Sequence, residues 1–421
     1  MHAEPATVVV DLEARDTVWA IRPDLKVRGW GFNGLVPGPT LEARAGDTLV
    51  VHLKNRLPEP TTIHWHGLRI PAPMDGTEMT QRVVKPGGAF EYRFVLPDAG
   101  TYWYHPHANE TVQMERGLYG AIVVRGADDP VVDAERVIVL DDVSVDRRGR
   151  IAKPGGVLER HNGRQGGIPV LNGQADVELS MPAGQIERWR IVNAGSARYV
   201  RLSIGGRPFR IIGTDGGLIE RPIEATDVVV APGDRVDLAV GPFVEGDELG
   251  IDALPHHRRL GQRRRTERFG VLRVGPLRPS RAVIPDRLRT IEPLVTGPVE
   301  PTRDVRLGGR LSLRRGVDFL VNDHQHHHDD PVKVGELQIW QVINETPMDH
   351  PFHLHGFFFQ VLDVNGDPPP VRSWEDTVNV PAKGRVRIAW LPDDRPGPWM
   401  YHCHILEHMA AGMMAHFEVV R

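Results

Sequence analysis

A chain of 421 residues is too long for one ordinary hydrophobic core and predicts two or three domains of roughly 100–200 residues each. Apolar residues make up 40% and charged residues 25%, the balance of a globular protein, and no apolar run approaches the roughly 20 residues that cross a bilayer. The net charge of −4 gives no general reason to expect nucleic-acid or anionic-lipid binding.

Taken in chain order, the segments read as short alternating strands between glycines and prolines. Examples are Thr48–Leu53 (TLVVHL), Phe90–Leu96 (FEYRFVL), Ala121–Val124 (AIVV) and Asp227–Val230 (DVVV). No long stretch repeats its apolar residues every 3.6 positions, so the pattern predicts an all-β chain of sandwiches or barrels. An internal repeat predicts three copies of one unit. Gly46, Gly184 and Gly335 each precede a strand ending on an asparagine, Asn55, Asn193 and Asn344. A second turn follows in each copy, at Pro86-Gly87, Pro232-Gly233 and Lys383-Gly384. The expected domains are residues 1–127, 128–284 and 285–421, with Pro276–Pro293 as a linker. Between them, His256–Arg268 crowds basic residues without interleaved aromatics and reads as a solvated loop. Met1 is not followed by a charged and then apolar leader, so no signal peptide is visible.

Only the first and third copies carry unusual residues. The first has His64-Trp65-His66 and His105-Pro106-His107; the third has His350, His353 and His355, and then His402-Cys403-His404, His408 and Met413. Residues i and i+2 of a strand share a face, so each His-x-His pair presents two imidazoles side by side. Two pairs from each of two domains suggest one metal cluster of eight imidazoles at a domain interface. If His402 and His404 face that cluster, Cys403 faces the opposite way, into its own domain. The single cysteine cannot form an internal disulfide. With His350, His408 and a weak axial Met413 it makes the ligand set of a blue-copper electron-transfer site. Structural zinc does not call for eight further histidines, and a cysteine nucleophile needs one base rather than flanking ligands. Electrons arriving at Cys403 can pass through its backbone to His402 and His404, which couples one-electron donors to a multi-electron acceptor such as dioxygen.

In order, HWHG, WYHPH, HPFHLHG and HCHILEHMAAGMM resemble the motifs of the multicopper oxidases, specifically the three-domain bacterial laccase and copper-oxidase group. The resemblance covers essentially the whole chain. It implies three tandem cupredoxin-like Greek-key β-sandwich domains and four coppers per chain. His64 and His353 would hold the type 2 copper; His66, His105, His107, His355, His402 and His404 the type 3 pair; His350, Cys403, His408 and Met413 the type 1 copper. Substrate electrons would arrive through the more exposed imidazole, His408, and the middle domain would be a ligand-free spacer. The implied reaction is laccase-type oxidation of phenols or aromatic amines with reduction of dioxygen to water. Oxidation of cuprous, ferrous or manganous ions is the alternative. Relatives that serve cell division without copper are disfavoured because every ligand position is filled, and a copper store without turnover is the remaining non-enzymatic reading. The resemblance also implies a periplasmic or secreted location and a monomer.

Two acids stand beside these motifs. Asp75 matches a position the family uses for proton delivery, and as the first half of an Asp-Gly pair it also suits a turn. Asp376 resembles a family acid near the type 1 histidines, where it would touch a phenolic hydroxyl or a substrate metal ion, or cap the adjacent turn. Several bacterial relatives carry a glutamate directly after the last type 1 histidine; here that position is Met409, which leaves Glu407 or another acid for a second proton route. The tract His324–Asp330 reads as a solvated loop able to hold metal loosely. Met74, Met79, Met114, Met409 and Met414 flank the motifs without forming a long Met-rich insertion.

Overall fold

Alternation decides most of the strands. In Ala89–Val95 the side chains of Tyr92 and Phe94 turn inward while their neighbours face solvent. Gly100–His105 and Glu187–Asn193 depart from this rule and are buried along their whole length. Both faces of these strands are covered, because they lie where one sandwich meets the next. The computed structural model describes residues 4–153, 156–258, 265–312 and 316–421. Part of the basic run, residues 259–264, lies outside the described residues.

The strands group as three pairs of sheets. The first pair has two four-stranded sheets, built between Thr7 and Arg125; the second, of six and five strands, lies between Ala134 and Gly275; the third, of five and six, lies between Arg303 and Val420. One pairing recurs in each. The opening strand runs parallel to the strand that ends on the repeat asparagine: Thr7–Arg22 beside Thr48–Asn55, Ala134–Val143 beside Glu187–Asn193, and Arg303–Ser312 beside Gln338–Asn344. The chain is all-β, three cupredoxin-like sandwiches in tandem.

The repeat asparagines do the same work in all three units. Asn55 Nδ2 donates to the carbonyls of Glu59 and Val84, Asn193 Nδ2 to those of Arg198 and Val230, and Asn344 Nδ2 to those of Met348 and Val380. Each Oδ1 accepts from a backbone N–H two residues on. The side chain thus ends its strand and ties the following loop to the second turn. That turn needs a left-handed residue, which is Gly87 (φ 80°), Gly233 (φ 91°) and, in the third unit, Lys383 (φ 57°) rather than the neighbouring glycine.

The units share buried surface. Trp103, Tyr119 and Ala121 of the first pack with Val139 and Val192 of the second and Leu406 of the third. Beside them Asp237 accepts from Thr101 Oγ1 at 2.6 Å and pairs with Arg188 at 2.6 Å and Arg190 at 3.3 Å, all buried. Burial pushes the Asp237 carboxyl up, but Arg188 and Arg190 more than offset it and hold it below its ordinary value. Its folded-state value is depressed, so its stabilisation is complete above the ordinary carboxylate range and is lost as pH falls through the folded value. Asp237→Asn is expected to destabilise the chain by about 2 kcal/mol at neutral pH, because it removes the fully buried carboxylate between two buried guanidiniums and leaves them Asp129 and Glu135, both partly exposed. Urea midpoints at neutral and acid pH check this: the gap between variant and wild type should narrow on acidification, and a constant gap contradicts the role given to the charge.

Candidate metal centre

Two antiparallel ladders place the histidines. In the first unit His64 pairs with His105 and His66 with Trp103 across the strands His64–His66 and Gly100–His105. In the third, Phe352 pairs with Cys403 and His353 with His402 across His350–Leu354 and Gly397–Cys403. Alternation then sorts the side chains. Phe352, Leu354, Tyr401, Cys403 and Met413 enter the hydrophobic core of the third unit. His353, His355, His402 and His404 face the first unit, where His355 stacks on His64 (3.9 Å between ring centroids) and His353 on His66 (3.8 Å). Eight imidazoles, all buried, therefore close on one another across the seam between the units.

Hydrogen bonding sets the tautomers. A carbonyl only accepts, so Nδ1–H must be present on His64 (to Asp75 O, 2.9 Å), His105 (to Pro106 O, 2.9 Å), His353 (to Asp376 O, 3.0 Å) and His402 (to Cys403 O, 3.0 Å). Carboxylates do the same for His355 (Asp75 Oδ2, 3.0 Å) and His107 (Glu110 Oε1, 2.6 Å). His66 differs, its Nδ1 facing the donor Arg235 Nη1 at 3.2 Å; in the six rings pinned through Nδ1 the Nε2 atoms are left as bare lone pairs turned inward. Those of His64, His66, His105, His107, His353 and His404 are buried with no hydrogen-bond partner, and those of His355 and His402 face each other at 3.0 Å. Opposed lone pairs at that distance repel unless a cation lies between them, and neutral imidazoles with a pinned second nitrogen are the usual form of a histidine metal ligand. Burial, reinforced by the neighbouring rings, holds the imidazoles of His66, His105, His355, His402 and His404 well below their ordinary pKa. The same residues form compact groups: His107, His355 and His402 in one, His64, His353 and His355 in another.

The second centre lies on the core side of the ladder. His350 Nδ1 and His408 Nδ1 stand 3.1 Å apart, at 3.3 and 3.7 Å from Cys403 Sγ. The outer nitrogens are occupied, His350 Nε2 by Thr346 Oγ1 (2.7 Å) and His408 Nε2 by the His161 carbonyl (3.0 Å), so again two lone pairs converge. Ile405 N–H donates to the sulfur at 3.4 Å. Burial pushes the Cys403 thiol up to about 12, so only a bound cation makes it a thiolate at neutral pH. Imidazole, thiolate and thioether donors in a buried pocket fit copper.

Three expectations need correction. His408 is not the exposed imidazole: it is fully buried, stacked on Phe319 at 3.8 Å and covered by the helix Val157–Asn162 of the second unit. Asp376 does not stand beside Cys403 to meet a substrate. It is buried against the histidine cluster, paired with Arg235, its carboxylate 3.3 Å from His353 and 3.6 Å from His66. Burial pushes its carboxyl up, but Arg235 overrides this and holds it far below its ordinary value. The tract His324–Asp330 is not a free loop, since His327 and His328 pair with Ala415 and His416 of the strand Met414–Val420.

Asp75 bridges both units, its carbonyl on His64 and its carboxylate on His355. Glu407 accepts from the Arg164 backbone N–H at 3.1 Å and is pushed up by burial. Two functional residues were missed. Glu110, on a short helix three residues past His107, was detectable as an acid in a metal motif. Arg235 had no such signal: it follows a turn in the unit without histidine pairs, yet spans Asp215 and Asp376 behind His66. Gly233 in that turn lies so close to His404 that a Cβ would approach its ring to 2.9 Å.

Fold and donor set define a copper oxidoreductase. Multicopper oxidase profiles match residues 14–129, 101–242 and 310–421. The multicopper oxidase MmcO of Mycobacterium tuberculosis is 32% identical, the alignment covering 92% of this chain and 82% of that protein. Among solved structures, a Campylobacter jejuni multicopper oxidase described as a metallo-oxidase superposes with a TM-score of 0.88 at 29% identity, over 100% of this chain and 94% of that one. A laccase-like multicopper oxidase, CueO from Ochrobactrum sp., with oxidase activity towards lignin model compounds, gives 0.83 at 27% identity over 99% and 100%. The chain belongs to the multicopper oxidase family: a copper-dependent oxidoreductase with four coppers and dioxygen as electron acceptor.

Proposed function

We propose that the chain is a laccase-type enzyme that takes single electrons from small phenols or aromatic amines. The observation that carries this reading is the pair of centres joined by His402-Cys403-His404, with every inward imidazole nitrogen left free for a metal. In this reading His350, Cys403, His408 and Met413 hold the type 1 copper, and His64 and His353 the type 2. His66, His105 and His404 hold one type 3 copper, and His107, His355 and His402 the other. When bound, these metals supply one-electron acceptance at the cysteine and four-electron reduction of dioxygen to water at the cluster. Cys403 connects the two covalently, because its own backbone carries His402 and His404. Asp75, Glu110 and Asp376 hold His64, His355, His107 and His353 in the ligating tautomer. Asp75, beside both halves of the cluster, is the acid assigned to proton delivery.

What covers His408 supports an aromatic donor. Val157 and Leu158 on the covering helix are 56% and 76% exposed, an apolar ledge suited to an aromatic ring rather than a hydrated ion. Dimethoxyphenol turnover is expected to exceed Cu(I) turnover, and Leu158→Glu should raise the phenol KM several-fold while leaving the blue colour intact, the loss of part of one Leu contact. Negligible phenol turnover beside rapid Cu(I) oxidation would replace this reading with a metallo-oxidase. Both halves of the cluster come from one chain, which supports a monomer. Among the described residues no helix is long and apolar enough to cross a membrane, and we assign the protein to the periplasm or the exterior, where copper and dioxygen are at hand.

A further inference from the structure

A cavity of about 460 Å³ gathers the chain's soft donors outside the two centres. Met79, Met400, Met409, Met414, His326 and His416 line it. These come from separate stretches: the segment after Asp75, the strands Gly397–Cys403 and Met414–Val420, the short helix Leu406–Ala410, and the histidine tract. The tract reaches the cavity because its pairing with Met414–Val420 sets His328 against His416, 5.3 Å between ring centroids. The inner wall includes His107 and Glu110, so the cavity ends at the histidine cluster.

Apolar lining alone would be served by leucines. Thioethers beside imidazoles make a different surface, polarizable and adaptable, that discriminates toward soft cations. His416 Nε2 is buried with no hydrogen-bond partner. Four of the chain's ten methionines meet here, two of them, Met400 and Met409, buried.

We propose that this cavity is a soft-cation site that takes Cu(I) beside the histidine cluster, additional to the coppers of the two centres. The site does not depend on whether the donor is a phenol or a metal ion.

The test uses the copper-loaded enzyme with Ag(I) as the probe, both metals being counted after desalting. Wild type is expected to keep its copper and retain about one silver per chain. Met409→Leu/Met414→Leu, which preserves volume, should retain at least tenfold less silver with its copper and colour unchanged. His324→Ala/His327→Ala, altering only tract residues outside the cavity, should retain silver as wild type does. Silver retention equal in the methionine variant and wild type, or absent from wild type, overturns the proposal. Failure of the copper assignment itself would be seen earlier, as missing copper or colour before silver is added.

Discussion

Replacing Cys403 by Ser is expected to leave a folded, colourless enzyme that holds less copper and no longer consumes dioxygen with a phenol. The sulfur lies 3.3 and 3.7 Å from the two Nδ1 atoms and is wholly buried among Phe352, Met413 and Ile405. A serine hydroxyl is nearly isosteric, so the core should hold, but it offers a hard donor that stays protonated where a soft thiolate is needed. The cluster loses its electron supply although its own imidazoles are untouched. Turnover should fall by more than about 100-fold, the upper figure for losing a group that merely orients a ligand. Copper quantitation, the visible spectrum and oxygen uptake are the measurements. A Ser variant that stays blue would show that the sulfur is not the ligand.

The second large effect is expected at Arg235, in the unit that has no histidine pair. Its guanidinium spans two buried carboxylates, Asp215 and Asp376, and touches the Thr101 carbonyl. Arg235→Met would leave the Asp376 carboxylate, which that guanidinium keeps ionised, without its partner, a loss of about 3–5 kcal/mol. Asp376 would also lose the partner that aligns it behind His66 and His353, and copper affinity should drop by about 10–100-fold. Arg235→Lys restores the charge but not the fork, so it should recover part of the stability and less of the copper retention. Urea unfolding read beside copper content after dialysis separates the two effects. A Met variant that unfolds as wild type does and keeps its copper would remove Arg235 from the site.

These two residues mark what the sequence by itself determined and what waited for the tertiary structure. The histidine pairs, and the opposite facing of Cys403, follow from strand periodicity, which is local and needs no knowledge of the fold. The repeat asparagines were legible for the same reason, since each acts within a few residues of its own strand and on a turn of its own unit. Asp376 was visible as an acid, but its partner is 141 residues away, and only the docking of the second unit onto the first and third shows which face it serves. His408 looked like the open edge of its site because nothing near it in sequence covers it. The carbonyl that does, at His161, is 247 residues away. The tract at 324–330 has a loop's composition, and edge pairing with Met414–Val420 turned it into a wall of a cavity. Which side chains share a face was thus set by local geometry. The tautomers of His353 and His355, the covering of His408 and the thioether cavity were set by long-range packing, where burial and buried charge outweigh any preference a short segment can express.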